Sequence, residues 1–458
     1  MAESRQYRRS FLRHLHYTIV VPHKLEPYNA MKLENQEYRE QNPVREANNR
    51  AFSTAVISLL NTLSCWEASA KIALVIEVRG RQKTLEPGTK EHAGLEKWQT
   101  VFDGEQWVVH PYTARFPDDE PSLPKVVCID QLLFDHMGTY QGVWNASRAA
   151  LQIAEHHTDT SQGIWAASAL QIAERCVALE RLQLYDQEWV RPDHLSYMRE
   201  RRQAMASALT KMPPTLRVFQ CIGNTEEHWA DVLPALNLLP DNKIDALSSS
   251  LRNMSLNLKE LDLSEVTVEL DFLFPLDDAG APTTDALSLH WPYLETVTLG
   301  SVPLYLPSGK WLLDYDRSDW LSDDEENPDP NSSGIENFDT PWLRYGWSVH
   351  RNIMDVEQFH RLFISLGFAA QRMPSLKTMT FALECGRPAQ FRFTTGRGSS
   401  EKPTLTFEST VGYKPDERVA DAWGFCLDDM EVEDDGPEEL DHYILATVTL
   451  PRFPLQME

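Results

Sequence analysis

The chain predicts an α/β fold in which helix–strand units stack into a solenoid, with parallel strands lining one face, helices covering the other, and a small β element at the C-terminal end. Three observations predict it. One apolar frame recurs six times, helical periodicity fills the intervals between copies, and the pattern changes to alternating strands near the C-terminus. The frame reads Leu-x-x-apolar-x-apolar. Its copies are Leu123, Val126, Cys128; Leu179, Leu182, Leu184; Leu216, Phe219, Cys221; Leu258, Leu261, Leu263; Leu294, Val297, Leu299; and Leu376, Met379, Phe381.

In chain order, the N-terminal region 1–120 reads as an α/β cap. It holds a strand at Tyr17–Val21, a helix over about Glu46–Trp66 and a strand at Ile72–Val78. The helix carries Phe52, Val56, Leu59, Leu60 and Leu63 at helical spacing. Residues 80–120 are rich in Gly, Pro and charge and read as loop.

The array occupies 121–385. Period-2 alternation at the end of each frame marks a short strand with one buried face. Helices are expected over Leu195–Met212, Asn242–Met254 and Met354–Met373, the last with Asp355 near its start and Pro374 after its end. The repeating unit is therefore helix, tight turn, strand. First leucines follow one another at 56, 37, 42, 36 and 82 residues. The long first interval contains a tandem duplication, QGVWNASRAALQIAEHH (141–157) and QGIWAASALQIAERC (162–176). The long last interval contains an acidic insert at about 301–350.

A helix–strand unit cannot bury its apolar side alone, and stacking solves that. These units exceed the usual leucine-rich repeat of about 20–29 residues, so the array is irregular and leucine-rich-repeat-like. The competing reading is an ordinary α/β domain whose strands begin alike. The region 386–458 reads as a β cap: QFRFTT (390–395) and TLTFES (404–409) form a hairpin, and YILATVTL (443–450) is a further strand.

The 458 residues carry a formal charge of −25. Residues 314–339 hold ten acids and one base, and 428–441 hold nine acids and no base, so two segments supply most of it. Clustered Lys and Arg for a phosphate backbone are missing, which argues against nucleic acid as a partner. The sequence has no run of 18 apolar residues, so no membrane span is expected. No apolar signal region follows Met1. Six scattered cysteines without a CxxC pair suit reduced thiols in the cytoplasm or nucleus.

Chemistry has little support. GxxxxGK[ST], strand-linked GxGxxG, HExxH and GxSxG are all missing. His14 and His16 could share a strand face, but two ligands do not make a metal site. His156–His157 reads as exposed, and Cys176 and Cys221 as small core residues. No enzyme activity, cofactor or metal is expected.

What remains is surface. The residues between frame positions point to the strand face: Arg181, Gln183, Tyr185; Val218, Gln220, Ile222; Glu260, Asp262, Ser264; Thr296, Thr298, Gly300; and Thr378, Thr380, Ala382. Such a mixed polar face suits recognition of another protein. Alternation alone also places polar residues outward.

Three segments extend the reading: RRSFLRHLHYTIVVP, NNRAFSTAVISLLNTLSCW and ALERLQLYDQEWVRPDHLSYMRERRQAMASALTKMPPTLRVFQC. With them the chain resembles a family of fungal F-box-associated proteins with leucine-rich-like repeats. The resemblance implies a substrate-binding subunit of a cullin-based ubiquitin ligase. Members carry an F-box ahead of the RR segment, and only seven residues precede Arg8 here. Direct binding to the ligase adaptor is therefore not expected of this form. The alternatives are a scaffold unrelated to ubiquitination, whose acidic segments recruit basic partners, and an unrecognised hydrolase or metal enzyme.

Overall fold

A computed structural model describes residues 12–22, 43–80, 113–117, 123–135, 161–186, 195–223, 235–240, 244–315, 351–383, 389–395, 402–410, 412–434 and 444–450. The first copy of the duplication and residues 316–350 of the acidic insert lie outside them. The chain is mixed α/β, with six α-helices among the described residues. It divides into two compact units: Met1–Arg191 with Lys211–Leu216, and Pro192–Thr210 with Arg217–Glu458.

The first unit is built from β1 (His14–Val21), α1 (Pro43–Ser64), β2 (Ile72–Gly80), β3 (Thr113–Ala114), β4 (Ile129–Asp135), β5 (Ser161–Ile164), α2 (Ala166–Arg175) and β6 (Arg181–Asp186). Strands β1, β2, β4 and β6 lie side by side in chain order, each parallel to the next. Short β5 runs antiparallel to the end of β2 and pairs with β3. The apolar stripe of α1 (Phe52, Val56, Leu60, Leu63) is buried, as its spacing requires.

Register corrects one of the six frames. Leu132 of β4 lies opposite Leu182 of β6. The amide of Glu180 donates to the carbonyl of Asp130 at 2.8 Å. The copy equivalent to Leu179, Leu182, Leu184 is therefore Ile129, Leu132, Phe134, not Leu123, Val126, Cys128. Both stretches are apolar at the same spacing and both are buried, so only strand pairing tells them apart.

The second unit contains α3 (Leu195–Leu209), β7 (Val218–Gly223), α4 (Ala246–Ser255), β8 (Glu260–Ser264), β9 (Thr296–Val302), β10 (Leu313–Tyr315), β11 (Arg351–Met354), α5 (Val356–Ala370) and β12 (Thr378–Leu383). After these come β13 (Ala389–Thr394), β14 (Thr404–Ser409), α6 (Glu417–Trp423), β15 (Glu431–Asp434) and β16 (Ile444–Thr449). Strands β7, β8, β9 and β12 pair in parallel, again in chain order. Beyond β12 the sheet turns antiparallel, in the order β13, β14, β16, β15.

Within the parallel half the frames are in register. Phe219, Leu261, Val297 and Met379 form one row across the strands, and Cys221, Leu263, Leu299 and Phe381 form another. All eight are buried. A shared entry turn precedes the strands. The amides of Leu179, Leu216, Leu258 and Leu376 each donate to the carbonyl three residues back, at 3.0–3.1 Å. Helix starts follow local capping chemistry. Asp245 accepts from the Ser248 amide at the start of α4, and Asp355 accepts from the Gln358 amide at the start of α5.

The expected helix before every strand is missing between β8 and β9. Residues 265–295 hold no α-helix, only a single 3-10 turn at Ala286–Ser288. Pro275, Gly280 and Pro282 interrupt any helix there. The loop still supplies core. Phe272, Leu273 and Phe274 are buried, and Ser365 of α5 bonds both the carbonyl (3.0 Å) and the amide (3.3 Å) of Phe274. At the base of the acidic insert, β10 and β11 pair antiparallel. The hairpin read at 390–395 and 404–409 is β13–β14, and the last strand is β16. Phe363 of α5 packs on Phe381, Phe391, Phe407 and Tyr413, which ties the last parallel strand to the antiparallel half.

Candidate functional site: the strand face of the second unit

Because frame residues turn one way, their neighbours in each strand turn the other. In the second unit pairing aligns these into rows. The first row is Val218, Glu260, Thr296, Thr378, Thr394, Thr404, Thr449. The second is Gln220, Asp262, Thr298, Thr380, Arg392, Thr406, Thr447, Glu431. Glu260, Arg392, Thr449 and Glu431 are exposed, and the threonines of β9, β12 and β14 are half-buried. The same face therefore runs from the parallel strands through the hairpin to β15.

The structure brings Gln220, Glu260, Asp262, Ser264, Thr296, Thr298, Thr378 and Thr380 together on this face. Arg181, Gln183 and Tyr185 lie on β6 of the first unit, where Gln183 donates to the Tyr185 hydroxyl at 2.9 Å. Gln183 is only 3% exposed and Gln220 7%, so at these two positions the outward half of the alternation is closed to solvent. Sequence reading missed Thr394, Thr404, Thr406, Glu408, Thr447 and Glu431, because it treated the hairpin as a cap. A Thr-x-Thr pattern shared by 296–298, 378–380, 404–406 and 447–449 was the available signal.

Asp262 is the electrostatic feature of the face. It accepts from Gln220 Nε2 at 2.8 Å and from Ser264 Oγ at 3.1 Å. Burial pushes its carboxyl above the usual range. The two hydrogen bonds oppose that rise, and nearby Glu260 adds to it. Where β7 and β8 end, a Cβ on Gly223 would lie 2.0 Å from the carbonyl oxygen of Glu265, and Glu265 itself has a φ of 59°. Only glycine permits that approach.

The strand entrances carry a separate ladder. Glu295 pairs with Lys259 at 3.3 Å and with Lys377 at 2.7 Å. Their amides continue the series: Lys259 donates to Arg217, Glu295 to Lys259 and Lys377 to Glu295, at 2.6–2.8 Å. Hydrogen bonds from Lys377, then Lys259, hold the Glu295 carboxyl below its usual range.

The first unit has its own polar cluster. His16 lies one row from Glu77 in β2 and bonds it at 3.1 Å, while Arg79 Nε donates to Glu77 at 2.5 Å. Burial pushes Glu77 upward, but His16 and Arg79 outweigh it and the net shift is down. Among the described residues no group of three or more His, Cys, Asp or Glu side chains is placed to hold a metal ion. Cys176 and Cys221 are buried thiols. The pair His156–His157 falls outside the described residues.

Against known proteins, one stretch stands out. Residues 348–440 match a family of unknown function, DUF6546. No curated protein matches the chain. The DUF6546 stretch takes in β11, α5, β12, the β13–β14 hairpin, α6 and β15. It thus contains the aromatic core around Phe363 and half of the threonine face. It also contains a network in which Arg418 pairs with Glu357 (2.8 Å) and Asp416 (2.7 Å), with His360 Nδ1 3.0 Å from the guanidinium. That network pins α6 to α5.

Proposed function

We propose that the chain is a non-enzymatic protein-recognition module, an irregular leucine-rich-repeat-like solenoid whose strand face receives another protein. One observation carries this reading: in β8, β9, β12, β14 and β16 the inward residues are buried while their alternating neighbours stay at least partly exposed in continuous rows. Parallel strands flanked by helices on both faces read as apolar on both, and these do not. An open, rigid, polar strand surface offers many directional hydrogen-bonding groups. The resemblance to F-box-associated proteins makes a substrate-receptor role the favoured setting. A second reading, a scaffold unrelated to ubiquitination, draws support from the exposed acids of β15.

A photo-crosslinking amino acid placed at Thr298 or Thr380 tests the face, with Asn253 on the exposed side of α4 as the control. Adducts formed in lysate from the two face positions, competed by excess unlabelled protein but not by a Thr298→Arg, Thr380→Arg variant, are the expected result. Adducts from Asn253 alone would sink it. Purified cullin adaptor is not expected to bind this form directly; binding gained when an F-box is fused ahead of Arg8 leaves both settings open, whereas direct binding by this form would exclude the unrelated scaffold.

A further inference from the structure

The charges on the open face of the second unit are one-sided. β8 presents Glu260 and Asp262, β14 presents Glu408, and β15 presents Glu431 and Glu433; the rows hold one cation, Arg392. Four aspartates of this unit hold a cation: Asp245 has Arg202, Asp271 has Arg361, Asp416 has Arg418 and Asp434 has Lys414. Among the described residues, half-buried Asp262 has only the neutral donors Gln220 and Ser264, with an acid two residues away. A carboxylate partly stripped of water without a counter-ion stands at a desolvation cost that a cation seated over it would offset.

We propose that this face docks a basic polypeptide segment of a partner protein, with a lysine or arginine side chain seated over Asp262. This rests on the reading of the face as a recognition surface and names the chemistry of the occupant. From β8 to β15 the sheet takes six strand steps, about 29 Å at the usual inter-strand spacing. An extended segment of about nine residues covers that span. Acids lie at both ends, and the threonine hydroxyls between them can donate to or accept from its backbone.

The test uses the full chain and two labelled ten-residue peptides, one alternating Lys and Thr, the other Glu and Thr, read by fluorescence anisotropy. The Lys peptide should bind more tightly than the Glu peptide, and more weakly as salt rises. Asp262→Asn should weaken it roughly tenfold, while Asp278→Asn, at an exposed acid in the loop after β8, leaves it unchanged. Thermal melts confirm that each variant is folded. Equal affinity for the two peptides, unchanged binding by Asp262→Asn, or an equal loss in both variants overturns the proposal. If Asp262→Asn has no effect while the Thr298→Arg, Thr380→Arg variant still fails to compete for the crosslinks, the recognition face stands and its basic occupant falls. If neither change matters, both fall.

Discussion

Two aspartates of the second unit show how placement decides what a carboxylate does. Asp245 is buried, yet the charge of Arg202, its bidentate contacts (2.7 and 2.5 Å) and the bonds from Ser248 outweigh desolvation, so its carboxyl sits below the usual range. Its contribution to stability is present above the unfolded aspartate pKa and is lost as pH falls through the lower folded value. Arg202→Met should therefore cost about 3–5 kcal/mol at neutral pH, with the gap to wild type closing on acidification, as read by urea melts. Asp262 has the opposite sign. Its folded pKa lies above the unfolded one, so folding stability falls as pH rises from the ordinary aspartate range through the folded value. Asp262→Asn should raise stability at neutral pH by roughly 0.5–1 kcal/mol, with the gain fading at low pH. A gain in stability together with a loss of peptide binding would mark Asp262 as held for function. From sequence, Asp262 was visible as a face residue. Its missing counter-ion among the described residues was not, because that depends on which side chains the neighbouring strands β7 and β9 bring near it.

Among elements, α5 and α6 depend on one small residue. A Cβ on Gly367 would sit 2.8 Å from Cδ1 of Trp423 and 2.9 Å from the Ala422 backbone. Trp423 is fully buried and donates its indole N–H to the Phe363 carbonyl at 2.9 Å. Gly367→Ala gains about 1 kcal/mol of helix propensity but forces apart a packed contact, a cost of about 1–3 kcal/mol. The expected net is a lower Tm with reduced near-UV tryptophan ellipticity. Long, strongly periodic elements such as α1 and α5 were legible in the residue order because amphipathic spacing is a local property. The loop between β8 and β9 was not. Its apolar run Val268–Phe274 looks like an element, yet it is held by Arg361 and Ser365 from far along the chain.

Across the whole molecule, rigidity should follow the frames. Amide exchange is expected to be slowest in β12, β13, β14 and β16, whose inward side chains are buried among aromatics. It should be fastest in β15, all four of whose residues are exposed. Equal protection across these strands would contradict an aromatic core centred on Phe363.

The order of residues was enough to establish the α/β class, the buried frame and the outward polar positions, since alternation and helical spacing are written along the chain. Folding in three dimensions settled which of two adjacent apolar stretches enters the sheet near Ile129, and that the hairpin extends the threonine rows. It also settled that Asp262 has no cation beside it among the described residues. Each of those depends on strand register and on long-range neighbours, and a one-dimensional pattern holds neither.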